Sequence, residues 1–222
     1  MTTILLIRHG ETAYVAKGRL AGRIPGIPLN EKGRKEAGKV AAALRNAPVK
    51  AIYSSPIQRA HETAEPLAQA LNLDIQTRPG LIETDAGEWQ GKTLKYVKRL
   101  KLWKIVTDTP SQFRFPNGES FAEIQGRIVA ELEAIAKEHT EKDLVVCFSH
   151  GDPIKLAVAH FLSMPLDAFQ RIGIDTGAMT VLTLNNGHSH LGPIGHSVNF
   201  EWPDENKKPY KPSENLISSR PN

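Results

Sequence analysis

The sequence has few features of secreted or membrane proteins. Its single cysteine, Cys147, cannot form an internal disulfide and lies in an apolar run that favours inert packing. The longest apolar runs, residues 4–7 and 144–148, are far shorter than the roughly 20 residues of a membrane helix. The first of them ends at Arg8 after a start without basic residues, unlike a signal peptide. We expect a cytoplasmic protein that does not associate with membranes.

Neither apolar nor charged residues are scarce or abundant enough to indicate an unusual class of protein. Hydrophobic residues make up 40% and charged residues 23% of 222 residues, which excludes collagen-like, low-complexity and wholly disordered chains. The net charge of +4 favours anionic partners without choosing among them. A basic run begins at Lys92, but such runs are more often solvated helix faces than nucleic-acid sites. We therefore expect no nucleic-acid partner.

Short β-branched or apolar runs alternate with helical stretches, and this alternation is typical of α/β folds. We predict a three-layer sandwich, with helices on both faces of a mostly parallel sheet, because the runs are apolar without interruption. Asn186-Gly187 is a hairpin signal that predicts an antiparallel edge strand near residues 189–191. The other predicted strands are residues 4–7, 51–53, 144–148 and 179–184.

Several helices have recognisable starts. Ser120 with Glu123 forms a capping-box pattern. Ser55-Pro56 and Asp152-Pro153 each place a capping residue before a proline, which predicts that helices begin there. A further helix is predicted over residues 31–45.

We expect residues 1–198 to form a single domain. Residues 83–117, which contain Trp89 and Trp103, are interpreted as a lid-like excursion over one end of the sheet. Residues 199–222 are polar and proline-rich, which indicates a tail with little regular structure.

Two predicted strands end in similar sequences, and this repetition is the main clue to function. The first runs into Arg8-His9-Gly10, and the third into Ser149-His150-Gly151. The second leads into a helix that carries Arg59 near its start. Because ligands bind beyond the carboxyl ends of the strands in open α/β sheets, these groups are expected to meet in one crevice. Two arginines and two histidines there suit a phosphate.

Other patterns give weaker signals. His61, His139 and His160 fall in predicted helices and are expected to be structural or exposed. The histidines 188, 190 and 196 have no carboxylate nearby, so we expect no metal site. Gly91-Lys92-Thr93 resembles the end of a P-loop, but the glycine at its start is missing. Ser149 next to His150 does not have the arrangement of a serine nucleophile and its base.

The run Leu6-Ile7-Arg8-His9-Gly10-Glu11-Thr12 resembles the signature of the histidine phosphatase superfamily, in the branch related to cofactor-dependent phosphoglycerate mutase. The resemblance extends over roughly residues 2–198. Further matches follow in order: Leu29-Asn30-Glu31-Lys32-Gly33, Tyr53-Ser54-Ser55-Pro56 with Arg59 and Thr63, Glu83 with Gly87, Trp89 and Gly91, and Phe148-Ser149-His150-Gly151.

The resemblance implies a role for each matching residue. His9 would accept the phosphoryl group and form a phosphohistidine, which water then hydrolyses. Glu83 would protonate the leaving alcohol and later activate water. Arg8, Arg59 and His150 would hold the phosphoryl oxygens, and the expected substrate-binding residues also include Gly10, Thr12, Gly22 and Gly151. Neither a metal nor a cofactor is expected, because fixed cationic side chains can neutralise the phosphoryl charge.

Departures from the family pattern bear on the reaction. Val15 replaces an asparagine that touches the phosphate in many members, and Ala86 and Asp152 replace a tyrosine and an asparagine of the mutases. An arginine pair that grips phosphoglycerate in the mutases has no clear match, because Arg114 stands alone between Phe113 and Phe115. These departures favour a metal-independent phosphomonoesterase, of the histidine acid phosphatase type, that acts on a small phosphorylated metabolite. A phosphoglycerate mutase and a non-catalytic phosphate-binding protein are the alternatives.

The sequence leaves the substrate open among sugar phosphates, phosphoglycerate derivatives, phosphoserine and cobalamin-precursor phosphates. Specificity is expected to lie in residues 83–117, with Trp89, Lys92 and Arg114 as candidate lining residues. The oligomeric state is also open, a homodimer included.

Overall fold

A six-stranded sheet forms the centre of the computed structural model, which describes residues 2–185 and 188–196. Its strand order is β3-β2-β4-β1-β5-β6. The first four strands in this order are parallel, β5 runs antiparallel to β1, and β6 runs antiparallel to β5. The strands are β1 (Thr2–Arg8), β2 (Val49–Ser54), β3 (Ile75–Thr77), β4 (Leu144–Ser149), β5 (Met179–Asn185) and β6 (His188–Leu191).

Helices cover both faces of this sheet. They are α1 (Ala13–Ala16), α2 (Glu31–Leu44), α3 (Gln58–Leu71), α4 (Leu94–Val97), α5 (Trp103–Asp108), α6 (Phe121–Lys137) and α7 (Gly151–Phe161). Short 3₁₀ turns lie at Pro79–Leu81, Gly87–Trp89, Pro110–Gln112 and Leu166–Arg171. None of the helices in the described ranges is both long and apolar enough to cross a membrane.

The central strands explain why their sequences are apolar without alternation. In β1, Ile4 and Leu6 belong to a core cluster with residues of α6 and α7. Leu5 and Ile7, on the opposite face, pack in a second cluster with residues of α2 and α3. Because both faces of the strand are covered, every position from 4 to 7 is at most 1% exposed. The predicted three-layer α/β sandwich is thus confirmed.

The helix starts were predicted with mixed success. The capping box of Ser120 and Glu123 begins α6 as expected. The predictions that Ser55 and Asp152 cap helices were wrong. Ile57 is extended, so α3 begins only at Gln58, and the Ser55 hydroxyl instead bonds His150. α7 begins earlier than expected, with His150 as its N-cap, which places Asp152 in the first turn.

Residues 83–117 contain two short helices and an aromatic cluster. Trp89, Phe113 and Phe115 contact one another at ring-centroid distances of 4.9 to 5.5 Å. Phe121 at the start of α6 joins this cluster, which secures the excursion to the sandwich. The division into one domain and a tail stays a prediction, because the tail (199–222) and the Asn186-Gly187 turn lie outside the described residues.

Candidate active site

The predicted cationic groups meet at the carboxyl ends of the parallel strands. His9 and His150 directly follow β1 and β4, which pair in parallel with Arg8 opposite Ser149. Their ring centroids are therefore only 5.1 Å apart. Arg59 enters from the first turn of α3, after β2, which is the neighbour of β4 on its other side.

The hydrogen bonds of His9 fix its tautomer. Its Nδ1 lies 2.7 Å from the Gly10 carbonyl oxygen, which only accepts hydrogen bonds, so Nδ1 carries the hydrogen. Its Nε2 accepts a hydrogen bond from Nε of Arg59 at 3.2 Å. Burial, together with the charges of Arg59 and Arg8, lowers the pKa of His9 well below its usual range. The ring is neutral at physiological pH and has its lone pair on Nε2.

Three nitrogen atoms around His9 are buried without a hydrogen-bond partner among the described residues: Nε of Arg8, Nη1 of Arg59 and Nδ1 of His150. The two guanidinium groups are held by their other nitrogens. Arg8 donates to the Ile174 carbonyl at 2.6 Å, and Arg59 to the Gly22 carbonyl at 2.9 Å. Arginine donors fixed in this way are arranged to bind an anion with several oxygen atoms.

His150 is fully buried behind this group. Its Nε2 lies 2.7 Å from the Ser55 hydroxyl, which itself accepts a hydrogen bond from the Ile57 amide. Burial and the charge of Arg59 lower the pKa of His150 well below its usual range. Ser55 was expected to cap a helix, and its contact with His150 was not predicted. Its position at the end of β2, beside the other strand ends, was the available signal.

Glu83 approaches the same point from the loop after Pro79–Leu81. One carboxylate oxygen, Oε2, lies 3.4 Å from Nη2 of Arg59 and 3.5 Å from Nδ1 of His150, the latter without hydrogen-bond geometry. The other, Oε1, accepts a hydrogen bond from the Thr84 amide. Burial raises the pKa of Glu83, although the charge of Arg59 acts in the opposite direction. A raised pKa suits a carboxyl group that donates a proton.

The backbone of the Glu83 loop is held by a clamp of three residues: Arg23, Glu119 and Arg127. Arg127 donates to the carbonyls of residues 80 and 82 at 2.9 and 2.8 Å, and Arg23 donates to the Glu83 carbonyl at 2.9 Å. Glu119 pairs with both arginines, at 2.7 and 3.1 Å. No pattern in the sequence predicted this clamp.

Four other residues were expected to bind the substrate, and only two of them line the cavity. Gly22 and Gly151 line the cavity above His9. Gly10 and Thr12 lie outside its lining. Gly10 packs on α2, where an added Cβ would lie 2.6 Å from the Gly33 carbonyl oxygen. Thr12 caps α1 through its side-chain oxygen.

The cavity has a volume of about 320 Å³ and is lined at its base by Arg8, His9, Arg59 and Glu83. Trp89 lines it as expected. Lys92 and Arg114 do not, contrary to expectation. The Lys92 ammonium lies over the Tyr96 ring, and Arg114 forms an ion pair with Glu123 and bonds the Gly118 carbonyl, so local contacts hold both outside the cavity.

A larger cavity, of about 800 Å³, opens at the opposite end of the sheet beside Thr2, His139 and His160. Among the described residues, however, only His9, Glu83 and His150 bring metal-ligand atoms together, within 4.8 Å of one another. Arg59 donates to Nε2 of His9, and Arg8 adds a second positive charge to this group. These surroundings suit an anion better than a metal cation.

Residues 4–194 match the profile of the histidine phosphatase superfamily (branch 1). The chain belongs to this superfamily. It is 31% identical over 187 residues to phosphoserine phosphatase 1 of Hydrogenobacter thermophilus, over 82% of this chain and 86% of that protein. It is 32% identical over 197 residues to a 2,3-bisphosphoglycerate-dependent phosphoglycerate mutase of Thermoplasma acidophilum, over 84% of this chain and 90% of that one.

Solved structures agree with this assignment. YhfR of Bacillus stearothermophilus superposes with a TM-score of 0.82 at 29% identity, over 88% of this chain and 98% of that one. A phosphoserine phosphatase mutant of Entamoeba histolytica in complex with phosphoserine gives 0.81 at 27% identity, over 89% and 98%. The family resemblance in the sequence is thus confirmed, and the protein is an enzyme of a family of phosphatases and mutases.

Proposed function

We propose that this histidine phosphatase is a metal-independent phosphomonoesterase that hydrolyses a small phosphorylated metabolite through a phosphohistidine on His9. The observation that carries the proposal is the position of the Nε2 lone pair of His9. It lies among three buried nitrogen atoms, two from arginines and Nδ1 of His150, that have no hydrogen-bond partner among the described residues. A nucleophile within a ring of oxygen-binding donors is what phosphoryl transfer requires.

In the first step, the Nε hydrogen of Arg59 turns from Nε2 of His9 to a phosphoryl oxygen, and Nε2 attacks the phosphorus atom of the substrate. The N–P bond forms as the bond from phosphorus to the alcohol oxygen breaks, and the protonated carboxyl of Glu83 gives its proton to that oxygen. The positive charge that develops on the imidazole is stabilised by the hydrogen bond from Nδ1 to the Gly10 carbonyl.

In the second step, water attacks the phosphohistidine. The Glu83 carboxylate left by the first step takes a proton from the water, the N–P bond breaks, and phosphate leaves. One carboxyl group thus serves first as acid and then as base, because the proton that it gives to the alcohol is replaced by one from water. The enzyme returns to its starting protonation state.

Arg8, Arg59 and His150 supply the electrostatic part of catalysis. The Ser55 hydroxyl accepts from the Ile57 amide and has its own hydrogen to give to Nε2 of His150; in the tautomer that the mechanism uses, the hydrogen of that ring is on Nδ1. Nδ1 and the two guanidinium groups then donate to the equatorial phosphoryl oxygens. Donors fixed before the reaction stabilise the charge of the transition state without reorganisation.

A phosphoglycerate mutase is the second candidate, and the 32% identity to the Thermoplasma acidophilum mutase favours it. Ala86 and Asp152 favour hydrolysis, because they replace side chains that the mutase pattern provides. A non-catalytic phosphate-binding protein is a third candidate. It would be stabilised by phosphate without becoming phosphorylated.

The proposal is tested by phosphate release from p-nitrophenyl phosphate and a panel of metabolites in excess EDTA. We expect release that is lost in His9→Ala and kept in the control His61→Ala, whose side chain is 43% exposed on α3. Interconversion of 3- and 2-phosphoglycerate is measured in parallel. Interconversion faster than release would identify a mutase, and near-normal release by His9→Ala would exclude the mechanism.

A further inference from the structure

The outer half of the active-site cavity is apolar. Beyond the catalytic groups, its wall is formed mainly by large apolar side chains, including Leu20, Trp89, Leu94, Trp103 and Phe115. Trp89 stacks on Trp103 with ring centroids 6.3 Å apart and packs edge-on against Phe115 at 5.5 Å. Leu94 is still 37% exposed, so apolar surface remains for a ligand to cover.

The outer wall also carries the charged side chains of Arg19, Asp152 and Lys155, of which the last two pair with each other. Lys155 pairs with Asp152 at 3.4 Å, and Arg19 donates to the Gly91 carbonyl at 3.1 Å. Gln170 donates to the Val106 carbonyl at 3.1 Å. Lys155 could bind a carboxylate only at the expense of its contact with Asp152.

The uncharged side chains of the cavity wall are hydrocarbon, apart from a few polar groups such as the hydroxyl of Thr84. Val15 and Ala86 place hydrocarbon on the wall, at positions where the family pattern has an asparagine and a tyrosine. Thr84 adds a buried hydroxyl that has no partner among the described residues. This hydroxyl suits a neutral hydrogen-bonding atom of the substrate, and the hydrocarbon of Val15 and Ala86 offers no partner to a charged group.

We infer that the alcohol part of the substrate is uncharged and carries an apolar, preferably aromatic, group that packs on Trp103 and Leu94. This inference rests on the proposed function and deepens it. It separates this enzyme from the relatives named for phosphoserine and phosphoglycerate, whose substrates carry a carboxylate close to the phosphate ester. Contact with aromatic side chains, rather than an ion pair, would then decide which metabolite is hydrolysed.

The test compares primary-alcohol phosphates, so that the leaving group is chemically similar throughout. We measure kcat/KM for 2-phenylethyl phosphate, ethyl phosphate and phosphoserine. The expected order places 2-phenylethyl phosphate first, at least about tenfold above phosphoserine, because an apolar contact in a pocket is worth roughly tenfold or more. Equal values, or a preference for phosphoserine, would overturn the inference.

A pair of leucine substitutions tests the surface itself. Leu94→Lys introduces a cation beside the cavity, and Leu162→Lys introduces one at a leucine that is 50% exposed and lies outside the cavity lining. We expect Leu94→Lys to shift the ratio of kcat/KM for 2-phenylethyl phosphate to kcat/KM for phosphoserine at least about tenfold toward phosphoserine. The control should leave that ratio unchanged. An equal shift in both variants, or none in Leu94→Lys, would contradict the assignment of this surface.

The outcomes also separate the inference from the proposed function. If neither p-nitrophenyl phosphate nor any alkyl phosphate is hydrolysed, the proposed function fails and the inference fails with it. If hydrolysis depends on His9 but phosphoserine is preferred, only the inference is overturned.

Discussion

Glu83→Gln is expected to slow the hydrolysis of alkyl phosphates far more than that of p-nitrophenyl phosphate. The substitution keeps the shape of the side chain and the acceptor for the Thr84 amide but removes the proton that the mechanism needs. An alkoxide leaves only with that proton. The p-nitrophenolate ion, whose charge is delocalised, leaves without it. The loss of activity should therefore depend on the leaving group.

The position of Glu83 fits this role. Oε2 of Glu83 lies 3.4 Å from Arg59 and 3.5 Å from His150, two of the groups expected to hold the phosphoryl oxygens, so the proposed mechanism puts Glu83 beside the breaking bond. A general acid contributes about 10²- to 10⁴-fold in rate. We expect kcat/KM for ethyl phosphate to fall by this factor, roughly 3 to 5 kcal/mol of transition-state stabilisation. For p-nitrophenyl phosphate the fall should be less than about tenfold.

Steady-state kinetics separate this loss from the loss of the base. The parameter kcat/KM covers the steps up to release of the alcohol, whereas kcat also includes hydrolysis of the phosphohistidine. Water activation is lost for both substrates, so kcat should fall for both. An equal fall of kcat/KM for the two substrates would refute the role of Glu83 as general acid.

Stability provides the matching control for this variant. Because burial raises the pKa of Glu83, its contribution to stability is full below the unfolded pKa and is lost as the pH rises through the folded pKa. At neutral pH the raised pKa of Glu83 therefore lowers the stability of the folded protein. Thermal unfolding should show Glu83→Gln to be at least as stable as the native enzyme, so unfolding would not explain a loss of activity.

Three further predictions follow from the geometry around the site. The folded-state pKa values of His9 and His150 are lowered, so their contribution to stability is lost as the pH falls below the unfolded value of about 6.5. NMR titration of the folded protein should therefore find both rings neutral at about pH 6. A ring that titrates near 6.5 would contradict this prediction. A Cβ at Gly33 would lie 2.1 Å from a backbone carbonyl oxygen, so Gly33→Ala should destabilise the protein by about 1 to 3 kcal/mol in urea. Gly38 lies in the same helix, and an added Cβ there would meet no neighbouring atom within 4 Å, so Gly38→Ala should stabilise the protein by about 0.5 to 1 kcal/mol. Similar changes in stability for the two substitutions would contradict the close packing of Gly33. Arg127→Met removes the donors to the Glu83 loop and should lower kcat/KM for ethyl phosphate at least about tenfold more than for p-nitrophenyl phosphate; a uniform fall would indicate a merely structural role.

The central strands were predictable because burial leaves a plain signal in sequence. β4 is buried at all of its positions and is apolar from Leu144 to Phe148. β3 was missed for the opposite reason. It has three residues, Ile75–Thr77, lies at the edge of the sheet, and has two exposed positions, so it leaves no hydrophobic pattern.

A serine before a helix caps it only where no tertiary contact takes its hydroxyl. Ser120 caps α6 because its partner Glu123 lies within the same turn. Ser55 has a similar sequence context, but its hydroxyl reaches His150, 95 residues away in the chain. A single sequence does not distinguish these two uses of a serine before a helix.

The site was predictable as far as it depends on strand ends. Arg8, His9 and His150 follow strands that the sequence identifies, and the topology of a parallel sheet brings such positions together. The clamp on the Glu83 loop was not predictable, because Arg23 lies in a loop and Arg127 within α6, and no motif links them.

The most direct test of the account is to trap and locate the phosphorylated enzyme. Glu83→Gln is mixed with p-nitrophenyl phosphate, quenched at alkaline pH to preserve phosphohistidine, and mapped by mass spectrometry. We predict one phosphoryl group, on His9, which is lost in acid and is absent when His9→Ala is combined with Glu83→Gln. Phosphorylation of another residue, or turnover by the native enzyme without a phosphoryl group on His9, would contradict the central claim.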